Sequence, residues 1–337
     1  QNDNIGGTSI VMTTRTTNNG QIGDRLELSD LIEKHFPASE ICNAFAYGSG
    51  IFEQDAASKT TKMMDFILVV ESAQRFHEKL LKRHPHHYSW ACRVGGPTFC
   101  DYLQNRIGAG VLFHPYVVLA DGDNHDVVVK YGIVEKQSIM QDLTHWSYFY
   151  LAGRLQKPTL PLIEDDMIRD AQESCNLPGA VAAAFLVLQQ KQIMKEAEAS
   201  LSDLFQTIAS LSYMGDPRLD VGGEDPDKIY KLVHGNTGQL DRFRTLYKPC
   251  LQSLSKEGLL QCNDDKVHWD SSYSWRKRLP LHFQTQLLEP QNNVAMCLRD
   301  TVRRTAKPQS IKGVVTAGFA KSARYSIAKL SKGLLRH

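Results

Sequence analysis

Apolar residues along this chain follow two different periods. Over 26–36, Leu28, Leu31 and Ile32 keep helical spacing, and Pro37 ends the segment. Residues 41–47 (ICNAFAY) form a short apolar run of strand length, closed by Gly48-Ser49-Gly50. Residues 63–70 (MMDFILVV) form a second run, rich in bulky apolar side chains. Such runs predict buried strands. The spacing over 72–84 predicts a helix. Residues 111–119 and 126–134 read as further strands, and the turn chemistry of DGDNH between them predicts a hairpin.

The pattern changes after about residue 150. From 165 to 214 it is mostly helical, with Pro178 placed for a first turn, Ser200 and Asp203 for a capping box and Gly215 for a stop. The most apolar stretch, AVAAAFLVL at 180–188, falls far short of the ~20 residues a membrane-spanning helix needs. Between 257 and 270 the pattern LLQC, NDD, VHW predicts a small hairpin. Helices followed by such a hairpin suit a winged-helix-like module. The expected organisation is a lead-in over 1–24, an interleaved α+β domain over 25–160, a helical domain over 161–300 and a basic segment over 301–337.

Composition narrows the class. The 337 residues are 42% hydrophobic and 23% charged, which excludes wholesale disorder. Seven cysteines form no CxxC pair, so reduced thiols are expected and structural zinc is not. The first twenty residues, rich in Thr and Asn with one Arg, read as neither a secretory signal nor a transit peptide. His84-Pro85-His86-His87 reads as a Pro-broken, solvent-facing loop rather than a metal site. Trp146, Tyr148, Phe149 and Tyr150 read as packing rather than a base-stacking platform.

The chemistry concentrates in FAYGSGIFEQDAASKTTKMMDFILVV at 45–70. Glycines at a strand end let backbone approach a ligand, and amides at such a turn can hold phosphate oxygens. A Walker A loop is absent. A GxGxxG fingerprint fails, because the sixth position is Glu53. A polymerase-β-like nucleotidyltransferase design fits better: a Gly-Ser turn, then a carboxylate heading the next strand. Ser49 and Asp65 stand sixteen residues apart. In this design the turn (Gly48, Ser49, Gly50) holds a triphosphate, and Asp65 holds the Mg²⁺ that bridges it. A second carboxylate two positions on is missing, because that position is Ile67. Asp55, Asp142 and Asp216 are candidates to complete the site.

YGSGIFEQ and MMDFILVV together resemble the mitochondrial CDP-diacylglycerol synthase family, also described as translocator assembly and maintenance proteins. The resemblance continues through Tyr88-Ser89, Gly108-Ala-Gly110, Lys130-Tyr131-Gly132, Asp142-Leu143 with Trp146, Ala152-Gly-Arg154-Leu-Gln-Lys157-Pro158, Leu211-Ser-Tyr-Met-Gly-Asp216-Pro-Arg218 and Thr316-Ala-Gly318. It implies a polymerase-β-like nucleotidyltransferase domain followed by a helical, winged-helix-like domain. It implies Mg²⁺-dependent transfer from CTP to phosphatidic acid, giving CDP-diacylglycerol and pyrophosphate on the way to cardiolipin. It places the protein peripherally on the matrix face of the mitochondrial inner membrane. Lys130, Arg154, Lys157, Asp216 and Arg218 become nucleotide- or phosphate-binding candidates, with Asp65 and Ser49 catalytic. Arg154 and Lys157 would face one anion if their stretch is helical. Two other readings stay open: a non-catalytic assembly factor on the same scaffold, and a nucleotidyltransferase acting on RNA or protein.

Charge separates the tail from the body. The net charge of +2 splits into −7 over residues 1–300 and +9 over 301–337, where no acid occurs. At ~100° per residue, Phe319, Ile327, Leu330 and Leu334 fall on one face of a helix, and Lys321, Arg324, Lys329, Lys332 and Arg336 on the other. A basic amphipathic helix of this kind predicts binding to an anionic membrane surface, with no nucleic acid expected.

Overall fold

The computed structural model describes residues 28–48, 51, 63–121, 125–190, 197–216, 227–235 and 238–317. The fold is α+β, built on one mixed five-stranded sheet and one small three-stranded sheet. No helix among the described residues is long and apolar enough to cross a membrane.

A first helix, α1, covers 28–35. Strands β1 (Ile41–Tyr47) and β2 (Met64–Val70) pair antiparallel, and Tyr47 lies opposite Asp65. Helices α2 (Ala73–Arg83) and α3 (Trp90–Arg106) follow, with Ser72 and Ser89 accepting from backbone amides at their N-termini. Strands β3 (Val111–Asp121) and β4 (His125–Glu135) form the expected hairpin, with a register shift between His114 and Val117. The chain continues through α4 (Lys136–His145), α5 (Leu151–Leu155), β5 (Leu160–Ile163) and α6 (Asp166–Ala171). The sheet order is β3-β4-β2-β1-β5, with β2 and β4 parallel.

Both faces of this sheet are covered, which is why β1 and β2 read as unbroken apolar runs. Ala44, Ala46, Phe66, Leu68 and Val70 pack with Phe76, Leu80, Cys92 and Leu103 of α2 and α3. On the other face Phe45, Tyr47, Ile67 and Val69 pack with Ile139, Leu143, Leu151, Leu155, Ile168 and Ala171 of α4–α6. Ile67 is therefore a core residue, and β2 offers no second acid on the Asp65 face.

The second half has its own core. Helix α7 (Leu177–Gln190) is apolar around most of its circumference and is buried. A short strand, β6 (Glu198–Ser200), leads into α8 (Leu201–Leu211), whose cap is the expected one: Ser200 Oγ accepts from the Asp203 amide at 3.0 Å. Then come α9 (Lys228–His234), α10 (Gln239–Lys256), β7 (Leu260–Cys262), β8 (Lys266–Trp269), α11 (Leu281–Gln286) and α12 (Val294–Ala317). The β7–β8 hairpin gains β6 as a third strand, in the order β6-β8-β7. Phe185 stacks on Trp269 at 4.4 Å in the middle of this core.

Polar ties join the two halves. Trp146 Nε1 donates to Asn176 Oδ1 at 2.9 Å, and the Tyr247 hydroxyl donates to Gln156 O at 3.0 Å. Gln309 of α12 accepts from the Ala109 amide and donates to Val111 O, both at 3.0 Å. Lys312 donates to Gln104 O at 3.1 Å and to Ile107 O.

Candidate active site

The site begins where β1 ends. Gly48 takes φ +85°, a conformation that favours glycine, and a Cβ there would stand 3.1 Å from Asp65 Oδ2. The glycine turn and the aspartate thus converge, as their pairing across β1 and β2 requires. Ser49, Gly50 and Asp55 lie outside the described residues.

Strand register sets the rest. Asp65 is flanked by Tyr47 on β1 and Lys130 on β4. Lys130 Nζ stands 3.7 Å from Asp65 Oδ1 and 4.8 Å from the centre of the Phe113 ring. Asp65 and Lys130 keep 23% and 21% of their side-chain surface exposed, so the pair opens to solvent rather than closing in the core. Asp65 Oδ1 itself is buried and has no hydrogen-bond donor among the described residues. Arg154 lies over the Tyr47 ring at 4.4 Å. Burial pushes the Tyr47 hydroxyl well above its usual range, which keeps it neutral beside these cations. Among these residues the cations Lys130 and Arg154 outnumber the acid, which suits an anionic ligand.

Lys157 departs from the sequence expectation. Helix α5 stops at Leu155, so Arg154 and Lys157 do not share a helical face. Lys157 is only 4% exposed and donates to Gly153 O at 2.7 Å and Ser212 Oγ at 2.6 Å. Burial, then Arg154 and Lys228, pull its pKa well below the ordinary lysine value. Lys157 and Lys228 approach the Tyr213 ring at 5.1 and 5.0 Å. Tyr47, Ser212 and Tyr213 lie inside quoted motifs but had no role assigned from the sequence, and Lys228 lies in none; the folded chain brings them to the site. Asp216 follows Gly215, which has φ +78°, and is buried with its amide on Tyr213 O at 3.1 Å. Arg218 lies outside the described residues, as do Phe319, Lys321, Arg324, Ile327, Lys329, Leu330, Lys332, Leu334 and Arg336.

Asp142 is not available to a metal. It is fully buried, and its carboxylate accepts five backbone N–H groups. Tyr148 and Phe149 donate to Oδ1 at 2.9 and 2.7 Å, and Tyr150, Leu151 and Ala152 to Oδ2 at 3.0, 2.8 and 3.0 Å. Those donors saturate its acceptor positions. Its work is to organise the turn that delivers Arg154, a turn in which Trp146 and Phe149 both hold left-handed backbone at φ 53° and 51°. Trp146 and Phe149 are buried packing residues, as expected. His84, His86 and His87 do gather, with potential ligand atoms within 4.8 Å of one another, a clustering their sequence spacing did not predict.

Comparison with known proteins gives a consistent result. A family model described as mitochondrial phosphatidate cytidylyltransferase matches residues 28–293 and 278–332. The protein of that name from Bos taurus is 35% identical over 332 residues, spanning 89% of this chain and 92% of the relative. The one from Saccharomyces cerevisiae is 35% identical over 294 residues, spanning 87% of this chain and 67% of the relative. The one from Caenorhabditis briggsae is 31% identical over 328 residues, spanning 88% and 96%.

Proposed function

Since this chain belongs to the mitochondrial phosphatidate cytidylyltransferase family, we propose that it joins CTP and phosphatidic acid into CDP-diacylglycerol and pyrophosphate. The first half is read as a polymerase-β-like nucleotidyltransferase domain and the second as a winged-helix-like domain. The observation that carries the proposal is the convergence of Gly48 on Asp65, beside Lys130.

The chain's own groups divide the work. The backbone at Gly48 lets phosphate oxygens approach where a Cβ would intrude on Asp65. Lys130 and Arg154 neutralise and orient the triphosphate, and Lys228 adds positive potential behind them. The attacking group is an anionic lipid phosphate, which enters already deprotonated, so positioning replaces a general base. Asp65 fits Mg²⁺: its carboxylate is part-exposed, and its buried Oδ1 has no hydrogen-bond donor among the described residues. When bound, the ion would neutralise charge on the phosphates and on departing pyrophosphate. One protein carboxylate with phosphate oxygens and waters is a donor set Mg²⁺ accepts. The product would feed cardiolipin synthesis, and the proposed location is the matrix face of the mitochondrial inner membrane, held peripherally.

The test is transfer of label from α-labelled CTP to phosphatidic acid vesicles with Mg²⁺. Wild-type protein should yield lipid-soluble label, and Asp65→Ala should lower the rate at least about 10³-fold with an unchanged melting temperature. The buried Ile67 in the second-acid position favours one rival, a catalytically silent assembly factor. That rival gains if wild-type protein turns over no acceptor.

A further inference from the structure

Away from Asp65, a cavity of about 370 Å³ opens where the end of α4 meets α11 and α12. Its wall consists of Gln141 and His145 from α4, Ser147 from the turn that follows, His282 from α11 and Arg304 from α12. Every one of these side chains can donate a hydrogen bond, and none is a carboxylate. None belongs to the set around Gly48, Asp65, Lys130 and Arg154. Arg304 is exposed and makes no hydrogen bond or ion pair among the described residues.

We propose that this cavity is an accessory binding site for a phosphate ester, held by Arg304, His145 and His282. A guanidinium facing two imidazoles is self-repelling while empty, and an anion between them reverses the sign of each interaction. Burial first, then Arg304 and His145, hold the His282 imidazole below its ordinary pKa. Arg304, with no hydrogen bond or ion pair among the described residues, supplies the fork that matches phosphate geometry. At ~30 Å³ per water, the volume has room for roughly a dozen waters, enough for a glycerol phosphate.

The hydrogen bonds around His145 fix its ring, and His282 adds a pH signature. The Thr144 hydroxyl donates to Met140 O at 2.8 Å, so its oxygen accepts from His145 Nδ1 at 2.7 Å. Nε2 is then the ring nitrogen left to face a ligand. The charged and titratable groups facing His282 are His145 and Arg304; Gln141 and Ser147 are neutral. An anion between them favours the charged form of His282, so affinity should rise as pH falls. The same face of α12 continues from Arg304 to the exposed Ile311 and Val315, seven and eleven residues on. A phospholipid could therefore place its headgroup in the cavity and its apolar part along that stripe, while a soluble phosphate ester would use the cavity alone.

Titration of the full chain with glycerol 3-phosphate, by calorimetry, tests the site. Wild-type protein should show a binding component that tightens at least about threefold from pH 7.5 to about pH 6. Arg304→Gln, an exposed position, should weaken that component at least about tenfold with an unchanged melting temperature, and His282→Gln should flatten its pH dependence. Cosedimentation with phosphatidylcholine vesicles, with and without phosphatidylglycerol, separates the sources. Loss of anionic-vesicle binding in Arg304→Gln assigns the site to a lipid headgroup; unchanged vesicle binding with lost glycerol phosphate binding assigns it to a soluble ester. Superimposed wild-type and Arg304→Gln isotherms, or no binding at millimolar ligand, overturn the proposal.

Discussion

Buried polar residues in this protein show how little a residue's type says about its job. Asp142 stood among the candidate metal ligands because it is an acid in a recognisable motif, yet five amides consume its oxygens. Removing it as Asp142→Ala leaves those amides without an acceptor inside the core, at a cost of about 3–5 kcal/mol. The check is the urea midpoint, which should fall steeply, while Mg²⁺ affinity of the folded fraction stays at the wild-type value. His77 gives a second expectation. It is fully buried, bonded to the Tyr88 hydroxyl at 2.8 Å and Gln104 Oε1 at 3.1 Å, and burial lowers its pKa to about 4. Between that value and the unfolded 6.5, the unfolded chain binds the extra proton. Stability is therefore complete above pH 6.5 and falls as pH drops toward 4, by about 3 kcal/mol from this residue. Denaturant titrations across that range should show the slope, and His77→Gln should flatten it. Asp65 and Gly48 were legible because strand pairing brings turn and acid together. The approach of Lys228 and Tyr213 to Lys157 was not, because it depends on how distant segments fold back.

At the level of elements, local pattern succeeded wherever a segment buries a regular face. β1, β2, α2 and the β3–β4 hairpin fall within a residue or two of expectation. The misses have physical causes. β5 (Leu160–Ile163) is four residues with Pro158 just before it and Pro161 within it, and its pairing with β1 makes it a strand. α3 carries Gly95, Gly96 and Pro97 in its middle, and Gly96 takes φ 70° there, so no continuous helical period exists to find. β6 is three residues long and exists by pairing with β8. Helix α12 offers a test of long-range support. Its Gln309 satisfies both the Ala109 amide and the Val111 carbonyl, as a strand neighbour would. Gln309→Ala strands both groups and should cost about 2–4 kcal/mol. Hydrogen exchange at the Ala109 amide should speed up with it, and an unchanged exchange rate would mean that the loop holds without α12.

On the scale of the whole molecule, the problem is how a chain with no membrane-crossing helix among its described residues reaches a lipid substrate. The acidic body, at −7 over residues 1–300, would be repelled by an anionic surface, and we propose that the attraction comes from the last 37 residues with their nine cations. Five of those cations, Lys321, Arg324, Lys329, Lys332 and Arg336, lie beyond α12. At about 1 kcal/mol for each cation near an anionic surface, their loss should weaken vesicle binding at least about 100-fold. Deletion of residues 318–337 tests this, read by cosedimentation with anionic vesicles at several salt concentrations. The full chain should bind with strong salt dependence, and the shortened chain weakly with little. Turnover separates anchoring from catalysis, because Asp65, Lys130 and Arg154 all remain in the shortened chain. It should keep its rate on a short-chain, water-soluble phosphatidic acid and lose it on vesicles. Equal loss on both substrates would place the tail in the catalytic site instead, and equal retention would shift membrane capture to another surface, with the exposed Ile311, Val314 and Val315 of α12 next in line.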